Sequence, residues 1–385
     1  MSSFKPEMAL DWVSDANETT IIRLVSGEDT TTIEKFINVD QGASLDNNED
    51  TDVDIIEFHP AFTYPIFGEL EKIFGKKIDD LETTSIVSLK ADKVEEPMRS
   101  VLSEELIENP SSFSMQVAKD TRNFKPHGKK IHEYKLPQEQ EAEDATFEIY
   151  ENDFTDESFR KFHKRMQTFV LFYIEGGQFI DDTDEKWTVY TLYKKLNFGG
   201  AHIYSLVGFC TMYNYYHWPD KKRARISQFL ILPPYQQHGH GSKLYFYIHN
   251  SVIANPDIVD LTVEDPNESF DDMRDKNDIK LLISTGDAEK IDRPLSYQET
   301  MKILSKYKFS KRQRTRVAEL CLLRNLNKSK SDSEKVKEYR IWMKKRIYRQ
   351  NYDALVSMEP EERKIKLAET YENVYQDYIR ILSLV

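Results

Sequence analysis

The sequence predicts an α+β protein, with a mixed α/β N-terminal domain, a central domain built on a sheet and a helical C-terminal region. Three observations support this class. Between residues 145 and 283, β-branched and aromatic segments alternate with segments of helical periodicity. Before residue 145 the strand and helix signals are mixed, and after residue 283 apolar residues recur at helical spacing in a basic background.

Length and composition divide the 385 residues into three predicted domains, since one domain takes roughly 100–200 residues. The N-terminal domain spans residues 1–140 and contains an acidic loop insert at about residues 28–54. The central domain spans residues 141–288, and the basic helical region spans residues 289–385.

Charge is distributed unevenly along the chain. The formal net charge of −13 disfavours nucleic acid and favours a cationic partner such as a basic peptide. Between Lys306 and Arg349, however, sixteen Lys and Arg accompany only four Asp and Glu. We expect these basic helices to form an appendage whose charged face is either solvated or used to bind nucleic acid or a partner. We expect no direct nucleic-acid binding by the central domain.

Cysteine content and hydropathy indicate a cytosolic or nuclear protein. The two cysteines, Cys210 and Cys321, allow at most one disulfide, which fits a reducing compartment. The first residues lack the basic start and apolar run of a signal peptide. No apolar stretch reaches the roughly 18 residues that a membrane span needs, so we expect no membrane association.

Strands are predicted where β-branched and aromatic residues cluster. One lies in the N-terminal domain at Thr19–Val25. The central domain adds an alternating strand in TFEIYEND from Thr146, followed by strands at residues 187–194, 201–216, 223–232 and 258–264. The fourth of these central strands stops at Pro233 and Pro234, which lack the N–H that a ladder needs.

Three central helices are predicted, at residues 156–175, 239–254 and 271–283. The first begins at Thr155–Glu157 and ends at Gly176 and Gly177. Its apolar residues recur at helical spacing and should form one buried face. They are Phe159, Phe162, Met166, Phe169, Val170 and Tyr173.

The strongest functional signal is the run Gln236–Gly241 (QQHGHG), which joins a strand to a helix. Glycines at this turn allow a ligand to approach the backbone, because no Cβ is in the way. The first N–H groups of a helix lack intrahelical acceptors, and together with the helix dipole they attract a pyrophosphate. The spacing matches neither a Walker A loop nor a Rossmann fingerprint. His238 and His240 have no nearby Cys or carboxylate, so we expect no metal.

A candidate base follows at Glu264-Asp265, at the carboxyl end of the strand IVDLTVE. An alkyl ammonium such as that of lysine must lose a proton before it can act as a nucleophile, and at pH 7 this costs roughly 3.4 pK units, or about 4.6 kcal/mol. A carboxylate whose pKa is raised by burial can accept that proton. Alternatively, the two carboxylates simply cap the next helix.

The run QQHGHG, placed after a strand and opening a helix, resembles the Q/R-x-x-G-x-G/A motif of the GCN5-related (GNAT) acetyltransferases. The segments YNYYHWPDKKRARISQFLILPPYQQHGHGSKLY and VEDPNESFDDMRDKND, with RKFHKRMQTFVLFYIEGGQFIDDTDEKW and FTYPIFGELEKIFG, resemble fungal catalytic subunits of type B histone acetyltransferases. The resemblance covers most of the chain from Trp12 onward. It implies a GNAT fold behind an N-terminal domain, so residues 141–288 would bind acetyl-CoA and catalyse the transfer.

The resemblance further implies a ternary complex in which a lysine amine attacks acetyl-CoA directly, with free, newly made histone H4 as the substrate before chromatin assembly. Glu264 would be the general base, and Asp265 and Glu175 would be nearby carboxylates that assist. The acetyl-CoA site would comprise Phe229, Leu230, Ile231, Gln236, Gln237, His238, Gly239, His240, Gly241, Ser242, Asn267 and Lys276. Lys276 stands where the family uses an arginine, so the charge is kept and the bidentate fork is lost.

The histone tail would contact Glu69, Leu70, Glu71, Trp187, Tyr213, Asn214 and Tyr215. Leu70 stands where the family pattern has an acidic residue, which weakens the local field by one charge. The aromatic rings suit glycine-rich backbone and cation–π contact with lysine, although core packing is the favoured role for any one of them taken alone. The resemblance also implies histone H3 in the same complex and a WD40-repeat histone chaperone, for which Trp218–Arg223 is a candidate contact. Enzyme and partner would occur in both cytoplasm and nucleus.

Two other readings remain open. The chain is alternatively a GNAT enzyme that acetylates another protein or a polyamine. It is alternatively a catalytically idle histone-binding module, although the combination of an intact glycine turn with Glu264 argues for an enzyme.

Overall fold

The computed structural model describes residues 20–24, 54–58, 107, 110–137, 145–198, 201–328 and 333–385. The chain divides into two compact units, Met1–Cys210 and Thr211–Val385, and the boundary falls inside a strand. The three domains drawn from composition remain a prediction. Apart from Asp54, the acidic insert at about residues 28–54 lies outside the described part of the chain, as do Glu69, Leu70 and Glu71.

The described elements follow the predicted order closely. The strands are β1 (Thr20–Leu24), β2 (Asp54–Phe58), β3 (Lys129–Tyr134), β4 (Thr146–Asn152), β5 (Trp187–Phe198), β6 (Ala201–His217), β7 (Lys221–Ile231) and β8 (Ile258–Val263). The helices are α1 (Pro110–Asn123), α2 (Glu157–Met166), α3 (Thr168–Tyr173), α4 (His240–Ala254), α5 (Glu268–Ser284), α6 (Tyr297–Leu304), α7 (Lys311–Lys328), α8 (Ser333–Gln350), α9 (Tyr352–Val356) and α10 (Pro360–Ser383). Among these helices, none combines the length and apolar content needed to cross a bilayer.

Both units contain paired β-strands. In the first unit β1 and β2 pair in parallel, with Thr20 opposite Asp54 and Leu24 opposite Phe58. The other strands of this unit lie in the order β3-β4-β5-β6, and β3-β4 and β4-β5 are antiparallel. In the second unit the order is β6-β7-β8, because β6 runs through the boundary, and β7 and β8 are parallel.

The expected single helix over residues 156–175 is wrong, because the segment forms α2 and α3. The two helices meet at Gln167, whose side-chain oxygen accepts a hydrogen bond from the Ile180 N–H at 2.7 Å. Asp156, rather than Thr155, is the N-cap of α2, and its carboxylate accepts from the Ser158 N–H at 2.8 Å. The predicted apolar face is buried except for the half-buried Tyr173.

Strand β4 departs from the expected alternation, because Glu148 is buried between two hydrophobic neighbours. Its carboxylate accepts hydrogen bonds from the Tyr150 hydroxyl at 2.6 Å, from Lys130 on β3 at 3.0 Å and from Lys195 on β5 at 3.1 Å. Burial raises the pKa of Glu148, but these three donors outweigh it and keep the pKa below its ordinary value.

The C-terminal helices form a core with α5, so the expected appendage is wrong. Ile279 and Leu282 of α5 are buried in the same apolar cluster as residues of α7, α8 and α10. This cluster includes Val317, Leu320, Leu323, Tyr339, Met343, Ile347, Tyr378 and Ile381. Cys321 is buried there as a free thiol, and Cys210 is likewise free and buried in the first unit. The basic region is therefore an integral part of the second unit.

Part of the basic charge is neutralised inside this core. Arg346 donates to Glu319 at 2.7 Å, and the Tyr378 hydroxyl donates to the other oxygen of Glu319 at 2.9 Å. Arg316 forms an ion pair with Asp275 of α5 and donates to Asp377 of α10 at 2.9 Å. Removing one partner of such a pair would leave a buried charge uncompensated, which makes these contacts structural requirements.

Asp278 links α4, α5 and α7. It is fully buried, and it accepts hydrogen bonds from the Tyr245 hydroxyl at 2.9 Å and from Gln313 Nε2 at 2.8 Å. His249 Nδ1 lies 3.5 Å from the carboxylate, and Arg274 Nε lies 3.9 Å away. Burial raises the pKa of Asp278 to about 7, against the opposing effects of Arg274, Gln313 and Tyr245. Burial also lowers the pKa of His249 to about 4, so at neutral pH this ring is uncharged.

These shifts predict the pH dependence of an Asp278→Asn variant. A carboxyl whose pKa is raised by folding contributes stability at low pH, and this contribution is lost as the pH rises through the folded-state value of about 7. Asparagine cannot ionise. From about pH 5 to about pH 8 the unfolding free energy of the variant, relative to wild type, should therefore rise by on the order of 2 kcal/mol. Urea denaturation at both pH values measures this change, with the exposed Asp353→Asn as control. Parallel pH curves for wild type and Asp278→Asn would contradict it.

Candidate active site

The ladder between β7 and β8 ends before β7 does. Ile226 is the last β7 residue in register with β8, opposite Val263, and its carbonyl accepts from the Glu264 N–H at 2.9 Å. Strand β7 continues through Ser227–Ile231 without a partner in β8. The sequence placed the end of full pairing at the two prolines. In the structure, pairing of β7 with β8 already ends at Ile226, so the whole Phe229–Ile231 segment lies beyond the ladder.

The chain leaves β7 through a tight turn. Residues Pro233–Tyr235 form a 3-10 helix, and Gln236 then donates from its side-chain amide to the Ile231 carbonyl at 2.7 Å. Gln237 and Gly239 both have positive φ, at 65° and 90°. A Cβ at Gly239 would meet nothing within 4 Å, so glycine is favoured there by its backbone conformation rather than by lack of space.

Gly241 has a different requirement, because α4 packs closely on its neighbours. A Cβ at this position would lie 3.0 Å from the Met273 sulfur of α5, and 3.6 and 3.7 Å from side-chain carbons of Ile231 and Phe229 on β7. Glycine therefore lets the first turn of α4 pack against both elements. Ser242, in the same turn, accepts a hydrogen bond from Asn277 of α5 at 3.0 Å.

The first turn of α4 suits a pyrophosphate group. Helix geometry leaves its first N–H groups without intrahelical acceptors, and Gly239 supplies no capping side chain. The part of β7 that lies beyond the ladder with β8 ends beside this turn, at Ile231. The residues predicted to hold acetyl-CoA on β7 and in Gln236–Ser242 are therefore brought together. Lys276 lies half-buried on α5, one residue before Asn277.

Glu264 lies at the point where β8 separates from β7. It is exposed and follows the end of β8 at Val263, one residue earlier than the sequence indicated. Its carboxylate accepts a hydrogen bond from the Ser227 hydroxyl at 2.6 Å. The exposed position differs from the burial invoked for a base, so in this structure the carboxylate is held by Ser227 rather than by a surrounding core.

The capping alternative for the two carboxylates is wrong for both residues. Asn267 is the N-cap of α5, and its side-chain oxygen accepts from the Phe270 N–H at 2.9 Å. Asp265 is exposed and has a φ of 31°, where the chain bends between β8 and α5. Asn267 was expected to contact acetyl-CoA, and the structure shows it binding its own helix.

The other predicted residues that the structure describes are divided between the two units. In the first unit, Glu175 is exposed in the turn after α3, and Trp187 is half-buried at the start of β5. In the second unit, Tyr213, Asn214 and Tyr215 follow one another on β6. The two tyrosine rings contact edge-to-face with centroids 4.5 Å apart.

Sequence reasoning missed three side chains that shape this site. Ser227 binds the Glu264 carboxylate, Asn277 binds the start of α4, and the Arg225 guanidinium lies 4.7 Å from the centre of the Tyr215 ring. For Ser227 and Arg225, the sequence showed only that both lie on the predicted strand β7, on the same face and two residues apart. Their roles depend on the register with β8 and β6, which the sequence does not specify.

Within the described ranges, no cluster of three or more His, Cys, Asp or Glu side chains is arranged to hold a metal ion.

Comparison with known proteins gives two family matches. The model described as "Histone acetyl transferase HAT1 N-terminus" matches residues 12–78 and 75–175. The model described as "Acetyltransferase (GNAT) family" matches residues 141–269. Among solved structures, an aminoglycoside acetyltransferase from an uncultured soil metagenomic sample aligns with 32% of this chain and 79% of its own, at 16% identity and a TM-score of 0.23.

Full-length relatives were also found, each named histone acetyltransferase type B catalytic subunit. The Cryptococcus neoformans protein is 33% identical over 97% of this chain and 98% of its own length. The human protein is 32% identical over 87% of this chain and 89% of its own. The Schizosaccharomyces pombe protein is 35% identical over 85% and 87%.

The packing at Gly241 predicts that Gly241→Val weakens coenzyme A binding by about 5- to 150-fold in Kd, since overpacking typically costs 1–3 kcal/mol. The added carbons press against the Met273 side chain, so either this side chain or the first turn of α4 must shift. Isothermal titration calorimetry with coenzyme A measures the effect. Met273→Ala in the same chain should restore part of the affinity, and Met273→Ala alone is the control. A Kd equal to wild type for Gly241→Val would contradict this role.

Proposed function

Because the chain belongs to the family of histone acetyltransferase type B catalytic subunits, we propose that it acetylates lysine side chains in the N-terminal tail of free, newly made histone H4. Membership of the family and the GNAT domain make it an acetyl-CoA-dependent acetyltransferase. The observation that carries the proposal is the early end of the β7–β8 ladder, which leaves a β7 edge beside the start of α4 and places Glu264 where the strands separate.

Glu264 is the proposed general base in a ternary complex with direct attack. The carboxylate takes a proton from the lysine ammonium, and the amine nitrogen bonds to the acetyl carbon. The carbon–sulfur bond then breaks, and the second proton that the nitrogen loses ends on the departing thiolate, which leaves as CoA. Ser227 supports this role, because its hydrogen bond of 2.6 Å orients one carboxylate oxygen and leaves the other available. Asp265 and Glu175 are proposed as assisting carboxylates.

The tyrosine pair on β6 supports recognition of a glycine-rich tail. Tyr215 is 39% exposed, and Arg225 stacks on its ring at 4.7 Å. One ring face is therefore already occupied by a cation, and the remaining surface of Tyr213 and Tyr215 suits backbone better than a lysine ammonium. We propose that the acidic pair Glu69 and Glu71 and the ring of Trp187 contribute the other tail contacts.

The proposed partners are histone H3 in the same complex and a WD40-repeat histone chaperone, in both cytoplasm and nucleus. The β6–β7 connection supports a protein contact, since Trp218 is 78% exposed and Tyr216 is 68% exposed. Two large exposed aromatic side chains at one hairpin tip are typical of anchors that a partner buries.

Glu264→Gln should lower kcat on an H4-tail peptide by about 10²- to 10⁴-fold, the usual contribution of a general base. The amide keeps the shape of the side chain but accepts no proton. The coenzyme A Kd should stay within about twofold of wild type, since Glu264 adds no predicted coenzyme contact. Asp265→Asn removes the same charge from the adjacent exposed position and should lower kcat much less than Glu264→Gln does. An unchanged kcat for Glu264→Gln would remove it as the base.

Substrate choice separates the histone proposal from other GNAT activities. We expect kcat/KM for an H4-tail peptide to exceed that for spermidine by more than about a hundredfold, because only the peptide offers backbone to the tyrosine pair. Steady-state assays with both amines, followed by mass spectrometry of soluble histones, measure this preference. Dominant turnover of spermidine would end the histone assignment while leaving the acetyltransferase chemistry intact.

A further inference from the structure

A basic groove lies between α6, α7 and α8, in the part of the second unit that the acetyltransferase site does not use. Its volume is about 880 Å³. One end is formed by Leu295–Tyr297 at the start of α6, and the walls are the first turns of α7 and the second half of α8. The groove therefore belongs to the region where the sequence is most basic.

The wall charges are all positive, because the lining contains six Lys and Arg and no Asp or Glu. Three of the six have partners of their own. Arg346 binds Glu319 at 2.7 Å, Arg314 donates to a backbone carbonyl at 2.9 Å, and Arg312 lies 3.5 Å from Asp271. These three arginines serve the fold at least in part.

The other three cations are Lys311, Lys345 and Arg349. All are exposed, and among the described residues none of their side chains has an ion-pair or hydrogen-bond partner. Lys345 and Arg349 are one turn apart on α8, on the same face as Trp342. Lys311 faces the groove from the first turn of α7. The groove thus has three unneutralised charges at its edge.

The floor between these charges is apolar. Leu295 and Ala318 are buried beneath it, Trp342 packs against the core of the unit, and Tyr297 is 66% exposed at one end. An apolar floor with a cationic rim matches a ligand that has an apolar side chain flanked by negative charges.

We propose that this groove binds an acidic peptide segment of a partner protein, anchored by an apolar side chain and flanked by Asp and Glu. A peptide fits better than a nucleic acid. The floor offers apolar surface rather than a continuous cationic track for phosphates, and a long polyanion would extend from the groove over a chain whose formal net charge is −13.

Fluorescence anisotropy with the full chain tests the proposal. The probe is a fluorescein-labelled peptide, Glu-Glu-Asp-Leu-Phe-Asp-Glu-Glu, and the comparison peptide has lysine at each acidic position. The triple variant Lys311→Gln, Lys345→Gln, Arg349→Gln should weaken binding of the acidic probe by about tenfold, since each exposed charge contributes a modest amount. Tyr297→Ala should also weaken it, because the anchor loses apolar contact.

The matched control is Lys335→Gln, Lys337→Gln, Arg340→Gln, which removes the same charge from exposed positions of α8 outside the groove. This variant should bind the probe within about twofold of wild type. Both triple variants should acetylate a histone-tail peptide at the wild-type rate, which verifies folding. Equal losses of probe affinity in the two triple variants would overturn the proposal, because the probe would then respond to the positive charge of the whole region rather than to the groove. Tighter binding of a short oligothymidylate, lost in the groove variant, would overturn it in favour of nucleic acid.

Discussion

The last hydrogen bond between β7 and β8, from the Glu264 N–H to the Ile226 carbonyl at 2.9 Å, sets the layout of the candidate site. On one side of this bond, β7 continues alone toward the turn that opens α4. On the other side, the chain bends at Asp265 and enters α5 through the Asn267 cap. Had the ladder continued, the β7 edge would be occupied and Glu264 would be an ordinary strand residue. Strand separation thus creates the binding edge and the position of the carboxylate together.

The glycine turn depends on helices far along the chain. The position of α4 is set by contacts of Gly241 and Ser242 with α5, and α5 is held in turn by Gln313 and Arg316 of α7. Because these contacts include buried carboxylates, their loss would leave unpaired polar groups inside the unit. The C-terminal helices therefore support the geometry of the site without contributing a predicted contact to acetyl-CoA.

Sequence patterns predicted this region where the signal was local. The β-branched and aromatic run, the double proline and the glycines placed β7, the turn and α4 within a residue or two. They did not predict where β8 stops pairing, because register depends on partners distant in sequence. Nor did they show that Gln167 divides one predicted helix in two. The apolar periodicity continues through α2 and α3, and the bond from Ile180 that anchors Gln167 comes from a later loop.

Net charge was misleading for the basic region, for a physical reason. A count of Lys and Arg does not distinguish a guanidinium paired in the core from an ammonium in solvent. Here the paired guanidinium groups are those of Arg316 and Arg346, and each planar fork donates to two acceptors. Arg316 donates to the carboxylates of Asp275 and Asp377, and Arg346 donates to the Glu319 carboxylate and to the side-chain amide oxygen of Gln350. Lys311 and Lys345 remain exposed beside the groove. One basic stretch thus contains two populations of charge, one required for folding and one free to attract a partner. The exposed population can therefore change without removing the buried pairs that hold α5 and, through it, α4.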